Sequence, residues 1–229
     1  MSVVSVPATR GVMVVTGASR GIGAATARLA ARTGYAVVVN SSADADGAES
    51  VVKDITDDGG TAVRAEADVS DPAAVRSLFD AAARLGPLTA VVNNAGITGN
   101  LIGNLVDVPA ENIRRVMDVN VIGLIYVCQE AVRRLDSQAG GAGGSIINIS
   151  STANKAGSPG TWAHYAASKG AVDVLTTGLA AEVAKQAIRV NAVAPGSTNT
   201  GLQLQPGCRT ALSGSTRLFR SAGALNPKM

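Results

Sequence analysis

Short runs of β-branched apolar residues alternate along the chain with longer, Ala-rich amphipathic stretches. The runs are Val12–Thr16, Ala36–Asn40, Ala62–Ala65, Leu88–Val92, Ser145–Ile149 and Ile188–Val193. Each is continuous rather than alternating in polarity, the pattern of a strand covered on both faces. Helical periodicity falls near 21–33, 44–58, 71–85, 111–137 and 163–186. Six strands alternating with helices predict right-handed βαβ units. The fold class is α/β, a Rossmann-type doubly wound parallel sheet.

Punctuation agrees with this scheme. Gly34, Gly59-Gly60 and Gly86-Pro87 follow the first three helices, and Asp71-Pro72 opens the third with a cap and a first-turn proline. Ala139–Gly144 is expected to be a flexible, solvated connector. No repeat or interdomain linker interrupts the pattern. The expected organisation is one domain over 1–200 and an atypical tail over 201–229.

Composition narrows the function classes. The chain has 229 residues, 46% hydrophobic and 16% charged, which suits an ordered core. Aromatics are only 3%, and the net charge of +3 is spread without a basic block, so nucleic acid is not an expected partner. Cys128, Cys208 and the single histidine, His164, match no metal-ligand spacing. Cys128 is expected in the core, and His164 at a pocket rim or on the surface. With no leader pattern and no membrane-length apolar run, a soluble cytoplasmic protein is expected.

The first strand runs into Thr16-Gly17-Ala18-Ser19-Arg20-Gly21-Ile22-Gly23, followed at once by a helix. Glycines there permit a tight turn and let backbone N–H groups approach a pyrophosphate at the helix N-terminus. About twenty residues on, where a carboxylate would hold a ribose 2′-hydroxyl, stand Asn40, Ser41 and Ser42, with Asp44 reading as a helix start. Arg20 supplies a cation for a 2′-phosphate. NADP is therefore expected over NAD.

Tyr165 and Lys169 are four residues apart and share one helix face. A phenol with an ordinary pKa of about 10 needs a nearby ammonium to exchange protons easily at neutral pH. Ser150-Ser151 follows the fifth strand, at the end of the sheet that faces the ligand crevice.

In order, Thr16–Gly23, Ala67-Asp68-Val69, Asn93-Asn94-Ala95-Gly96, Asn120, Ser151, Tyr165, Lys169 and Pro195-Gly196 resemble the short-chain dehydrogenase/reductase family. The resemblance runs from about Val12 to Thr200 and is nearest to 3-oxoacyl-carrier-protein reductase-like and sugar-dehydrogenase-like members. It implies hydride transfer between a nicotinamide and a carbonyl or secondary alcohol of a small molecule. Tyr165 would donate the proton and Ser151, preferred to Thr152, would hydrogen-bond the same oxygen. Lys169 would hold the nicotinamide ribose and lower the tyrosine pKa, and Asn120 would anchor a water. Asp68 and Val69 would contact adenine. Asn93, Ala95, Gly96, Pro195, Gly196 and Thr200 would line the cofactor with Gly17, Ser19, Arg20, Gly21, Ile22 and Gly23.

Beyond Thr200 the likeness stops: Gly201–Met229 lacks the helix and last apolar strand of the family, the pattern of a frameshift or truncation. Relatives use those elements to build a homo-oligomer and to cover substrate. The alternative reading is thus an NADP-binding remnant with impaired catalysis.

Overall fold

The computed structural model describes residues 10–99 and 101–198. Six parallel strands, β1 (Val12–Val15), β2 (Ala36–Ser41), β3 (Thr61–Glu66), β4 (Leu88–Asn93), β5 (Gly144–Ile149) and β6 (Ile188–Val193), form one sheet in the order β3-β2-β1-β4-β5-β6. The helices are α1 (Gly21–Arg32), α2 (Ala45–Asp57), α3 (Pro72–Leu85), α4 (Ala110–Met117), α5 (Leu124–Leu135), α6 (Ala153–Ala156) and α7 (Ala163–Glu182). Strand order reverses between β1 and β4. The crevice beyond their carboxyl ends is where such sheets bind ligands.

The continuous apolar runs have a direct cause. Val12 and Val14 of β1 join Val38, Val91 and Ile146 against Leu78, Phe79, Val127, Leu135 and Val172 from α3, α5 and α7. Met13 and Val15 point the other way, with Val37, Val39 and Val92, onto Ala24, Ala27, Ala31, Val51 and Ile55 of α1 and α2. Both faces are covered, so both parities must be apolar. Alanines on α1 let that helix approach the sheet closely. The edge strand β3 departs from expectation: Arg64 and Glu66 are exposed, so it is covered less completely than the central strands.

Two local expectations change. The helical pattern over 111–137 is interrupted by a π-helical segment, Asp118–Gly123, between α4 and α5. The pattern over 163–186 ends at Glu182 and gives way to a 3-10 turn, Ala184–Gln186. The segment before β5 is exposed at Ala139, Gly140 and Ala142, as expected, and becomes packed only at Gly143, where it enters the strand. A Cβ on Gly144 would lie 2.3 Å from the Thr89 carbonyl oxygen, and Gly143 donates its N–H to the Leu135 carbonyl. Thr200 and the tail 201–229 lie outside the described residues. Among the described residues, no helix is long and apolar enough to cross a membrane.

Candidate active site

The β1–α1 turn requires its glycines. Gly17 and Gly21 have φ of 60° and 59°, a left-handed conformation that side chains resist. Asn94 locks this turn to the exit of β4, donating to the carbonyls of Thr16 and Gly17 at 2.9 and 2.8 Å. The Thr16 hydroxyl accepts the N–H groups of Asn94 and Ala95. At its N-terminus α1 has neither a side-chain cap nor an acidic residue in the first turn. Its first N–H groups and dipole therefore suit a phosphate. The Arg20 side chain, 64% exposed, stands 3.8 Å from Asp44. Asp44 itself caps α2 by accepting the Gly47 N–H, as its sequence position suggests.

Asn40 and Ser41 turn their side chains into the structure beneath the nucleotide corner. Asn40 is 1% exposed; it accepts the Gly17 N–H and donates to the carbonyls of Ala65 and Ala67. Ser41 is buried and donates to the Asp44 carbonyl. Both shape the corner from beneath, and the exposed hydroxyl there is Ser42.

Asn93 is also turned into the core. Its amide donates to Asn148 at 2.9 Å and to the Cys128 sulfur, and Asn148 donates to Thr176. Asn93 and Asn148 are register partners on β4 and β5, so this pair joins the two strands just below their ligand-facing ends. Burial pushes the Cys128 thiol up to about 12, which leaves it a core residue without nucleophilic character. Asn148 and Thr176 escaped the sequence reading; their signal was an asparagine within an apolar strand.

After β3, burial pushes the Asp68 carboxyl up, but the Ser70 hydroxyl and amide and the Arg115 guanidinium outweigh it and hold it below the usual carboxylate value. Val69 packs beneath the π segment, where a Cβ on Gly123 would meet it at 2.8 Å. After β4, Gly96 opens onto the reactive groups: a Cβ there would sit 3.3 Å from Asn120 Oδ1 and 3.5 Å from Lys169 Nζ.

Those groups converge from three elements. Ser151 follows β5, and its hydroxyl accepts the Ala153 N–H at the start of α6. Thr152 turns away, its hydroxyl donating to the Pro195 carbonyl. Pro195 thereby ties the segment after β6 to the serine turn, while Gly196 is exposed and uncrowded. Tyr165, 8% exposed, and Lys169, 3% exposed, lie in the first turns of α7. The Lys169 ammonium donates to the Ile149 carbonyl at 2.7 Å and lies 5.8 Å from the Tyr165 ring centre.

The electrostatics differ from expectation. Burial raises the Tyr165 phenol above its ordinary value, and the adjacent Ser151 hydroxyl draws it only partly back. Burial lowers Lys169 to about 8, against a raising influence from Asp173. The linkage sign follows. Between about 8 folded and 10.5 unfolded, the unfolded chain binds more protons, so this group's contribution to stability rises with pH. Relative to Lys169→Met, wild-type stability to urea should rise by up to about 1.4 kcal/mol per pH unit above pH 8. A constant difference across that range would contradict the buried charge.

Asn120 serves as a structural tie. It is fully buried in the π segment, accepting the Ile97 N–H at 2.8 Å and donating to the Ile97 carbonyl and the Ser168 hydroxyl. Both amide hydrogens have protein acceptors, so the side chain clamps the loop after β4. His164 is buried, not at a rim, with its Nε2 3.0 Å from the Thr98 carbonyl oxygen. Among the described residues no cluster of potential ligands could hold a metal ion.

A family model described as short chain dehydrogenase matches residues 11–206. An uncharacterized oxidoreductase of Escherichia coli is 48% identical over 199 residues, 86% of this chain and 79% of that protein. A 3-oxoacyl-[acyl-carrier-protein] reductase of Synechocystis is 39% identical over 195 residues, covering 85% of this chain and 76% of its own. A crystal structure of a short chain dehydrogenase from Burkholderia cenocepacia in complex with NADP superposes with a TM-score of 0.80 at 35% identity, covering 92% of this chain and 83% of that one. With this sheet order and this match along its length, the chain belongs to the short-chain dehydrogenase family of oxidoreductases.

Proposed function

We propose that this oxidoreductase is an NADP-dependent carbonyl reductase or alcohol dehydrogenase, with Tyr165, Ser151 and Lys169 as its working groups. The observation that carries the reading is their convergence beside Gly96, at the carboxyl ends of β4 and β5. The residues fit a dinucleotide: positive-φ glycines and an uncapped α1 suit a pyrophosphate, and exposed Arg20 suits a 2′-phosphate. The complex of the Burkholderia cenocepacia relative with NADP supports the same choice.

When bound, the nicotinamide supplies or accepts the hydride at the substrate carbon. In reduction, Tyr165 transfers its phenolic proton to the carbonyl oxygen while Ser151 hydrogen-bonds that oxygen. The raised phenol stays protonated at neutral pH, as a proton donor must. Lys169 places a positive charge beside the phenolate that forms, lowering the cost of proton loss. Asn120 acts by holding Ile97, and through it the Gly96 turn, against the lysine. The substrate class is a small ketone, a 3-oxoacyl thioester or a sugar, since loops rather than fold select the partner.

The reading predicts NADPH oxidation with members of a ketone panel. A fluorescence change on NADPH addition without turnover would favour binding alone. Arg20→Ala should weaken NADPH about tenfold, the loss of one charge-assisted contact of roughly 1.4 kcal/mol, and leave NADH nearly unchanged. Equal losses for both cofactors, or tighter NADH binding by wild type, would overturn the NADP assignment.

A further inference from the structure

Resting on that reading of Lys169, we propose that Asp173 is a positioning residue that supplies the counter-charge for this lysine. Through Asn154, it also locks the lysine's helix to the serine turn. The starting observation is an imbalance. Lys169 is 3% exposed, yet among the described residues no carboxylate comes within ion-pairing distance of it. A buried charge without compensation is strongly disfavoured. One helical turn on, Asp173 occupies the same face of α7, partly buried and with no arginine or lysine paired to it among the described residues. Each of these charges lacks a direct partner, and each is the other's neighbour.

The hydrogen bonds around Asp173 close a ring through three segments. The Asn154 amide of α6 donates to the Asp173 carboxylate and, at 3.2 Å, to the Ser150 hydroxyl. The Ser150 hydroxyl donates to the Lys169 carbonyl, and the Lys169 ammonium donates to the Ile149 carbonyl. Ser151 lies inside this ring, so its position relative to α7 depends on it. The other groups facing Lys169 are uncharged: the Ile149 carbonyl from β5, Gly96 from the loop after β4, and the Tyr165 phenol. Among the described residues, Asp173 is the charged group that acts on Lys169, and it opposes the effect of burial.

The chain has five lysines, which makes direct titration of Lys169 in the full-length protein practical. Carbon-13 lysine labelling, with the Lys169 signal assigned by Lys169→Arg, should show a midpoint near 8 in wild type. Asp173→Asn keeps an acceptor for Asn154 but removes the charge, and should lower that midpoint by roughly half a pH unit or more. Asp173→Glu should restore it. Asn154→Ala, which keeps the carboxylate, should move the midpoint by less than Asp173→Asn does.

An unchanged midpoint in Asp173→Asn, or the same shift in all three variants, would overturn the proposal. Ketone reduction reports separately. In Asp173→Asn the alkaline limb of kcat/KM should move to lower pH by the same amount as the midpoint. A shifted midpoint with an unmoved limb, or with no turnover in wild type, leaves the pairing intact and removes Lys169 from its working role.

Discussion

Tyr165→Phe should lower kcat for ketone reduction by about 10²–10⁴-fold while leaving NADPH affinity within roughly threefold of wild type. The substitution removes one oxygen and keeps the ring, so the packing around this nearly buried side chain is preserved. On the proposed function, what is lost is the proton donor beside Ser151. Because burial raises the phenol, wild-type Tyr165 is protonated through the neutral range, and the loss should be near constant from pH 6 to 8. Loss of NADPH absorbance in the presence of ketone measures the first quantity, and fluorescence titration the second. A variant retaining a third of wild-type turnover would assign the proton to another group.

Asn120→Leu should cost about 2–4 kcal/mol of stability, because similar volume with no polar atoms takes a hydrogen bond from each of three partners, of which only the Ser168 hydroxyl keeps another, to the Tyr165 carbonyl. Those partners are the N–H and carbonyl of Ile97 and the Ser168 hydroxyl. Turnover should fall as well, since releasing Ile97 frees the Gly96 turn that stands 3.5 Å from Lys169 Nζ when a Cβ is placed on it. Urea denaturation gives the stability loss. If stability were unchanged while kcat fell, Asn120 would be acting on the reaction directly and the clamp would be wrong.

The strands were legible because sheet burial on both faces forces continuous apolar runs such as Val12–Val15. The glycine turn was legible because Gly17 and Gly21 adopt φ values that other residues resist. Tyr165 and Lys169 could be paired because four residues return a helix to the same face. The direction of polar residues at strand ends was harder to read. In a run apolar at both parities, nothing nearby marks which face an asparagine joins. Parity resolves it once the core is known: Asn93 shares a face with Val91, and Asn148 with Ile146, both in the core formed with α5 and α7.

The π segment was hidden because residues 110–135 keep a helical pattern throughout, and the extra residue per turn around Asn120 leaves no compositional mark. The ionisation of the site was hidden for a different reason. Sequence spacing places Lys169 near Tyr165 but says nothing of burial, which lowers the lysine to about 8 and raises the phenol. Desolvation is a property of the packed structure.

If this polypeptide transfers hydride between NADPH and a carbonyl at a site built on Tyr165, the hydride can be followed from cofactor to product. Incubation with NADPH carrying deuterium at both nicotinamide C4 positions and a reactive ketone, followed by mass spectrometry of the alcohol, provides the test. One deuterium is expected at the carbinol carbon in wild type, with labelled alcohol from Tyr165→Phe lower by about a hundredfold or more over the same interval. Unlabelled alcohol, or labelled alcohol formed equally by Tyr165→Phe, would contradict it.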